Sequence, residues 1–274
     1  MLKSSTHNHT TFCDGQNTPE EMAKAAYALG FTDFGFSGHT YVDFADYGVK
    51  DELAYVRALT ALREEYQGRM RIAIGLEHDY YYPVKHRNAL DYIIGSVHEL
   101  QDEGTGRRYP VDGPLPLALE CKERVFHGDG LAMAWQFYAL TAENAERYRP
   151  EIIGHFDLIV KNNEDGMLFD EESPAYRAAA LESLHRCHAT GGIFELNTGG
   201  IFRGYRNPPY PADFLLRELA AIGGRVTVNG DAHTTSAINF WFSEALELLK
   251  ASGFSTVWLW EDGGFHEHAI AEVE

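Results

Sequence analysis

Short apolar runs alternate with amphipathic stretches along most of this chain. The runs at 31–37, 71–76, 91–97, 151–159, 192–196, 225–228 and 256–260 are rich in β-branched and aromatic residues and are often flanked by glycine. That is the pattern of buried strands. Segments of helical spacing lie between them: one opening at Thr18-Pro19-Glu20-Glu21, then 51–67, 131–148, 174–189, 212–222 and 240–251. Thr18 suits an N-cap, Pro19 the first helical position and the two acids the first turn. Strand–helix alternation predicts an α/β fold with a mostly parallel sheet. No low-complexity tract or Pro/Ser linker divides the chain, and 1–274 reads as a single domain with an insertion at about 99–150. No Gly-x-Gly-x-x-Gly follows the first strand and no Walker A motif is present, so dinucleotide binding and P-loop chemistry have no support.

The polar residues change the picture. Nearly every strand end carries a metal-type ligand: His7-Asn8-His9 followed by Asp14, then His39, Glu77, His98, His155, Glu195 with Asn197, and Asp231-Ala232-His233. A parallel barrel gathers the C-terminal ends of its strands on one rim, so residues distant in sequence converge there. His7/His9 and Asp231/His233 are spaced i, i+2, which puts each pair on one face of an extended strand. A single histidine at a strand end is usually a hydrogen-bonded core or loop residue. A histidine or carboxylate at almost every end is a metal cluster. Imidazoles mixed with carboxylates suit zinc, manganese or iron better than calcium or magnesium.

Charge and composition narrow the function. Lys plus Arg is 23 against 41 for Asp plus Glu, a formal charge of −18. Such a surface disfavours a nucleic-acid partner, which recruits Lys and Arg, and an anionic membrane surface. Three scattered cysteines make no disulfide framework. No signal-peptide core and no apolar run of spanning length is evident, so the cytoplasm is the expected compartment.

His-x-His-x-x-x-x-Asp-Gly at 7–15, His39, Glu77, His98, His155 and Asp-x-His at 231–233 together resemble the polymerase-and-histidinol-phosphatase (PHP) superfamily. The order and approximate spacing match from His7 to His233. The resemblance implies a distorted seven-stranded (β/α)7 TIM-like barrel with its metal site at the C-terminal ends of the strands. It implies two or three divalent ions. His7, His9, Glu77 and Asp231 would hold one, Glu77, His98 and His155 a second, and Asp14, His39 and His233 a third. Glu77, Asp231 and His233 would be the central catalytic residues. The implied reaction is hydrolysis of a small phosphate monoester by hydroxide held between the ions.

The second half resembles the histidinol-phosphatase branch more than the polymerase branch. The segments that carry this are Ile152-Ile153-Gly154-His155 and Glu195-Leu196-Asn197-Thr198 running on to Arg203 and Tyr210-Pro211. L-histidinol phosphate is therefore the first candidate substrate. Another small phosphate monoester, or a phosphodiester or nucleotide, is the alternative, and a non-catalytic metal-binding barrel is the alternative of a different class. Arg203 is the leading candidate for phosphate recognition, because guanidinium binds phosphate in a bidentate way. Lys161 is the second. Glu195, Asn197 and His127 are candidates for substrate contact. Turn roles are expected for Asp112 and Asp129 beside their glycines. His78 follows Glu77, so alternation turns it away from the cluster. Glu182, His185 and His188 read as a solvated helix face, and Cys13 is expected to face away from Asp14.

Overall fold

In the computed structural model, which describes residues 2–43, 46–163 and 165–273, the chain forms a ring of parallel strands with helices outside it. The strands in chain order are β1 (Ser4–Ser5), β2 (Asp33–Phe36), β3 (Arg71–Asp79), β4 (Tyr92–Ser96), β5 (Glu99–Gln101), β6 (Arg108–Pro110), β7 (Ile152–Ile153), β8 (Ile193–Asn197), β9 (Arg225–Asn229), β10 (Thr256–Glu261) and β11 (Gly264–Ala269). Seven of them form one sheet in the order β1-β2-β3-β4-β7-β8-β9, all parallel. The first and last edges meet just past β1 and β9. The His9 N–H donates to the Ala232 carbonyl at 2.8 Å and the Ala232 N–H donates to the His7 carbonyl at 3.1 Å. This closure is what brings the first and last ligand motifs of the sequence side by side.

The helices are α1 (Pro19–Ala28), α2 (Glu52–Glu65), α3 (Leu115–Phe126), α4 (Gly130–Tyr148), α5 (Pro174–Ala189), α6 (Gly199–Phe202), α7 (Asp213–Ala221), α8 (Phe242–Ser252) and α9 (Ile270–Val273). Local chemistry starts several of them. Thr18 and Glu21 form the capping box of α1, the Thr18 hydroxyl taking the Glu21 N–H and the Glu21 carboxylate taking the Thr18 N–H. Asp51, Asp129 and Ser173 each accept an N–H from the first turn of the helix that follows.

Alternation along the strands sorts the core. On β3, Ile72, Ile74 and Leu76 pack outward against the helices, and Ala73, Gly75 and Glu77 point into the barrel. Tyr92 fills the lower interior with Ala73, Ile94 and Ile152, and its hydroxyl donates to the Thr6 and Phe36 carbonyls. Gly35 and Gly75 make room for that ring: a Cβ at Gly75 would lie 2.5 Å from two Tyr92 ring carbons. Gly75→Ala is therefore expected to cost about 1–3 kcal/mol through overpacking. Thermal melts should show it as a fall of several degrees; an unchanged melt would contradict this packing.

Two expected strands need correction. The run 256–260 does form a strand, but outside the barrel. β10 pairs antiparallel with β11, and the Ser4 hydroxyl donates to the Trp260 carbonyl beneath the N-terminal end of the barrel. The ring's first strand is instead the two-residue β1. The run 151–159 keeps only Ile152–Ile153 in the ladder and then turns into a 3-10 helix at Leu158–Val160. The segment 99–150 carries a hairpin of β5 and β6 and the helix α3, as well as α4.

Candidate metal centre

The rim is assembled from six strand ends. His7 and His9 sit on the extended segment after β1 and share a face. His39 follows β2 and is held beside Glu77 on β3 by a parallel bridge. His98 and His155 lie two residues beyond β4 and β7. Asp231 and His233 follow β9. Asp14 closes a tight turn in which the Thr10 carbonyl accepts from the Cys13 and Gly15 N–H groups. Gly15 is required there, since a Cβ would lie 2.4 Å from the Thr10 nitrogen.

Glu77 is the centre of the arrangement and is buried. Its Oε1 lies 2.8 Å from His155 Nε2 and 3.3 Å from His98 Nε2. Its Oε2 lies 3.0 Å from His39 Nδ1, 3.2 Å from His7 Nε2 and 3.5 Å from His9 Nε2. The Ser96 hydroxyl donates to Oε1 at 2.7 Å. Four groups of side chains bring donor atoms within 4.8 Å of one another: His9/Asp14/His39/His233, His7/Glu77/His155, His7/His9/Asp231 and His39/Glu77/His98. All nine expected ligands are thus brought together. The grouping is more interlaced than three sets joined only through Glu77, because His9 also approaches Asp14 and His39 also approaches His98.

The donor set fits divalent cations. The buried His9 Nε2 makes no well-aligned hydrogen bond although two carboxylates crowd it, Asp231 Oδ1 at 3.2 Å and Glu77 Oε2 at 3.5 Å, and a cation between them would satisfy all three. Asp231 has φ of 47°, a left-handed conformation uncommon among non-glycine residues and best tolerated by Asn, Asp and His. That backbone turns Oδ1 to within 3.2 Å of His9 Nε2 and 3.6 Å of His7 Nε2. Its other oxygen accepts from Arg203 Nη2 at 2.8 Å, and Arg203 Nη1 donates to the Asp231 carbonyl at 3.0 Å. Gly199 leaves space for this contact, since a Cβ there would meet the guanidinium at 2.9 Å.

Electrostatics follow from this crowding. Burial pulls the His7 imidazole down, but the carboxylates of Glu195, Glu77 and Asp231 outweigh it and raise the pKa to about 10. Burial likewise opposes Glu77 and Asp14 at His39, which still rises to about 9. Asp231, despite its burial, is held well below the usual carboxylate range by Arg203 and the surrounding imidazoles. Cation binding at these nitrogens therefore releases protons.

An open cleft of about 190 Å³ lies over the cluster, and its wall is made by Asp112, Leu158, Lys161, Arg203, Tyr205 and Tyr210. Burial lowers the Lys161 pKa. Its ammonium donates to the Asp112 carbonyl and stands 4.2 Å from the centre of the Tyr205 ring. Arg203 and Lys161 thus face the cleft as expected.

Three expected substrate contacts do not reach it. Glu195 and Asn197 are fully buried one layer below the rim and hydrogen-bonded to each other at 2.9 Å. His127 is exposed at the C-terminal end of α3, with φ of 54°. Asp112, expected in a plain turn, is on the cleft wall, and Asp129 caps α4. His78 packs outward against Tyr148 and its Nδ1 accepts the Val84 N–H at 3.2 Å; burial lowers its pKa to about 4. His185 pairs with Glu218 on an exposed face. Cys13 Sγ lies 3.5 Å from His9 Nδ1. Asp79 was missed. It stands two positions after Glu77, so alternation places it on the same face, and its Oδ2 accepts the His98 N–H at 3.0 Å. Tyr205 gave no signal, because its place depends on how the chain folds back after β8.

A closed ring of parallel strands with imidazoles and carboxylates converging on its C-terminal rim defines a cation-binding (β/α) barrel. The chain belongs to the PHP domain family, whose model matches residues 5–199. A Deinococcus radiodurans protein named "Probable histidinol-phosphatase" is 31% identical over 92% of this chain and 94% of its own length. The solved structure of hisK from Listeria monocytogenes superposes with a TM-score of 0.72 at 18% identity, covering 88% of this chain and 98% of that one. That of histidinol phosphate phosphatase from Lactococcus lactis, complexed with zinc, L-histidinol and phosphate, gives a TM-score of 0.64 at 19% identity over 97% of this chain and all of that one. No helix among the described residues is long and apolar enough to cross a membrane.

Proposed function

We propose that this protein is a metal-dependent phosphomonoesterase that hydrolyses L-histidinol phosphate to L-histidinol and inorganic phosphate. The observation that carries this reading is the opening of the cation-type cluster and two basic side chains into one cleft. The named relative and the zinc, histidinol and phosphate of the Lactococcus lactis structure support the substrate. His7, His9, Asp14, His39, Glu77, His98, His155, Asp231 and His233 would hold two or three zinc, manganese or iron ions. Bound divalent ions supply hydroxide near neutral pH and offset charge on the phosphoryl oxygens.

The chain's own residues do the rest. Glu77 and Asp231 orient the imidazoles. Arg203 and Lys161 bind the phosphoryl oxygens from the cleft wall. The Asp112 carboxylate offers the substrate's ammonium a partner, and Tyr205 and Tyr210 offer its imidazole aromatic faces. We read 1–274 as one such unit, with the insertion at about 99–150 supplying Asp112. The −18 charge favours a small substrate over nucleic acid, and three free cysteines fit a reducing compartment such as the cytoplasm.

Phosphate release from L-histidinol phosphate by metal-loaded protein tests the reading. Arg203→Ala is expected to lower kcat/KM about 100-fold, the scale of removing one charge-stabilising donor. Lysine should not restore it, because a point charge cannot grip the Asp231 carboxylate, the Asp231 carbonyl and phosphate together. Wild-type kcat/KM in Arg203→Ala would remove Arg203 from the site.

A further inference from the structure

We infer that Glu195, which no substrate can reach, is a positioning residue that fixes His7 so that only Nε2 is offered to a metal ion. The inference rests on the metal-dependent reading above. Glu195 stands on β8 inside the barrel and is fully buried. Its Oε1 lies 2.6 Å from His7 Nδ1 and accepts from the Asn229 side-chain amide at 3.0 Å. Its Oε2 accepts the His155 backbone N–H and the Asn197 side-chain amide, both at 2.9 Å.

The orientation of both amides is set from their far ends. Asn229 Oδ1 accepts the Thr6 N–H at 2.7 Å and the Thr6 hydroxyl at 3.1 Å. Asn197 Oδ1 accepts the Gly199 N–H at 2.9 Å. Each amide therefore turns its NH2 toward Glu195. Two amides and a backbone N–H thus face this carboxylate as donors. An ionised carboxylate offers about four acceptor sites, and the fourth falls to His7 Nδ1. With Nδ1–H donating there, the Nε2 lone pair is left pointing at Glu77 Oε2, 3.2 Å away, and toward Asp231. The same carboxylate ties down the His155 backbone, so ligands from two separate strand ends share one buried support. A carboxylate behind a ligating imidazole also raises its strength as a donor.

Glu195→Gln tests this directly. The new NH2 must face either His7 Nδ1 and Asn229 or the His155 N–H and Asn197, donor against donor. His7 relieves the first clash by moving its proton to Nε2, which then no longer ligates. After dialysis of zinc-loaded protein against a competing chelator, the variant is expected to retain less zinc than wild type. Its zinc affinity and kcat should both fall about 10–100-fold, with KM within about twofold. Wild-type zinc content and kcat with a raised KM would make Glu195 a substrate contact and overturn the inference. Should the variant fail to fold, side-chain 15N NMR of zinc-loaded wild type decides. A protonated His7 Nδ1 with an unprotonated Nε2 supports the inference, and the reverse overturns it. Neither zinc retention nor NMR requires substrate, so failure on L-histidinol phosphate alone would sink the substrate reading and leave this one standing. A wild type that holds no zinc would end both.

Discussion

Glu77→Gln is expected to cut phosphate release at least about 1,000-fold, a loss near 4 kcal/mol of transition-state stabilisation. Among the described residues no other carboxylate stands so centrally. Its two oxygens lie between 2.8 and 3.5 Å from ring nitrogens of His155, His98, His39, His7 and His9. A glutamine replaces one oxygen by an NH2 that cannot ligate, and it removes the negative charge that faces five imidazoles. Whichever way the amide turns, one side of the cluster loses its carboxylate. Metal analysis on the purified variant should show fewer ions per chain than wild type, alongside the loss in kcat. The fold should survive, because the strand around Glu77 is held by Ile72, Ile74 and Leu76 on its outer face. Full metal content with near-normal kcat would show that Glu77 is not the shared ligand.

Removing the metal altogether is expected to have a comparable effect and to be reversible. Protein dialysed against a strong chelator should release phosphate at the background rate, and zinc, manganese or iron should restore turnover. Stability should move as well. A ligand that binds only the folded state stabilises it by about 4 kcal/mol at a thousand times its Kd. Zinc should therefore raise the melting temperature of the chelated protein by several degrees. The geometry makes this specific: ligands come from strand ends as far apart as β1 and β9, so a cation staples the ring where it closes. Undiminished activity in protein shown to be metal-free would refute the mechanism.

Much of this was legible in the chain. The strand-end histidines and carboxylates predicted their own convergence, because a parallel barrel has one C-terminal rim and i, i+2 spacing has one face. The cap-like Thr18 followed by Pro19 and two acids predicted the start of α1. Other parts were hidden for physical reasons. A largely apolar run such as 151–159 does not distinguish a buried strand from a buried turn, since both sides of either are covered. The turn at Asp262-Gly263, with φ of 48° and 85°, pairs β10 with β11 instead of placing it in the ring, and the reading of 256–260 as a barrel strand leaves that Asp-Gly step aside. Glu195 misled because its position near a strand end does not say how deep it sits. Alternation along β8 sends it inward, and only the closed barrel shows that inward there means beneath the ligands. Asp112 and Tyr205 depend on how long loops fold over the rim, which no local pattern encodes.

The cleft, loaded with cations, is shaped for one small phosphate. The most direct test is kcat/KM for phosphate release from L-histidinol phosphate, set against a panel of other monoesters, nucleotides and diesters, with metal content measured on the same sample. A clear preference for L-histidinol phosphate is expected in protein carrying two or three ions per chain. Equal or better turnover of another phosphate ester by fully loaded protein, or turnover without metal, would contradict it.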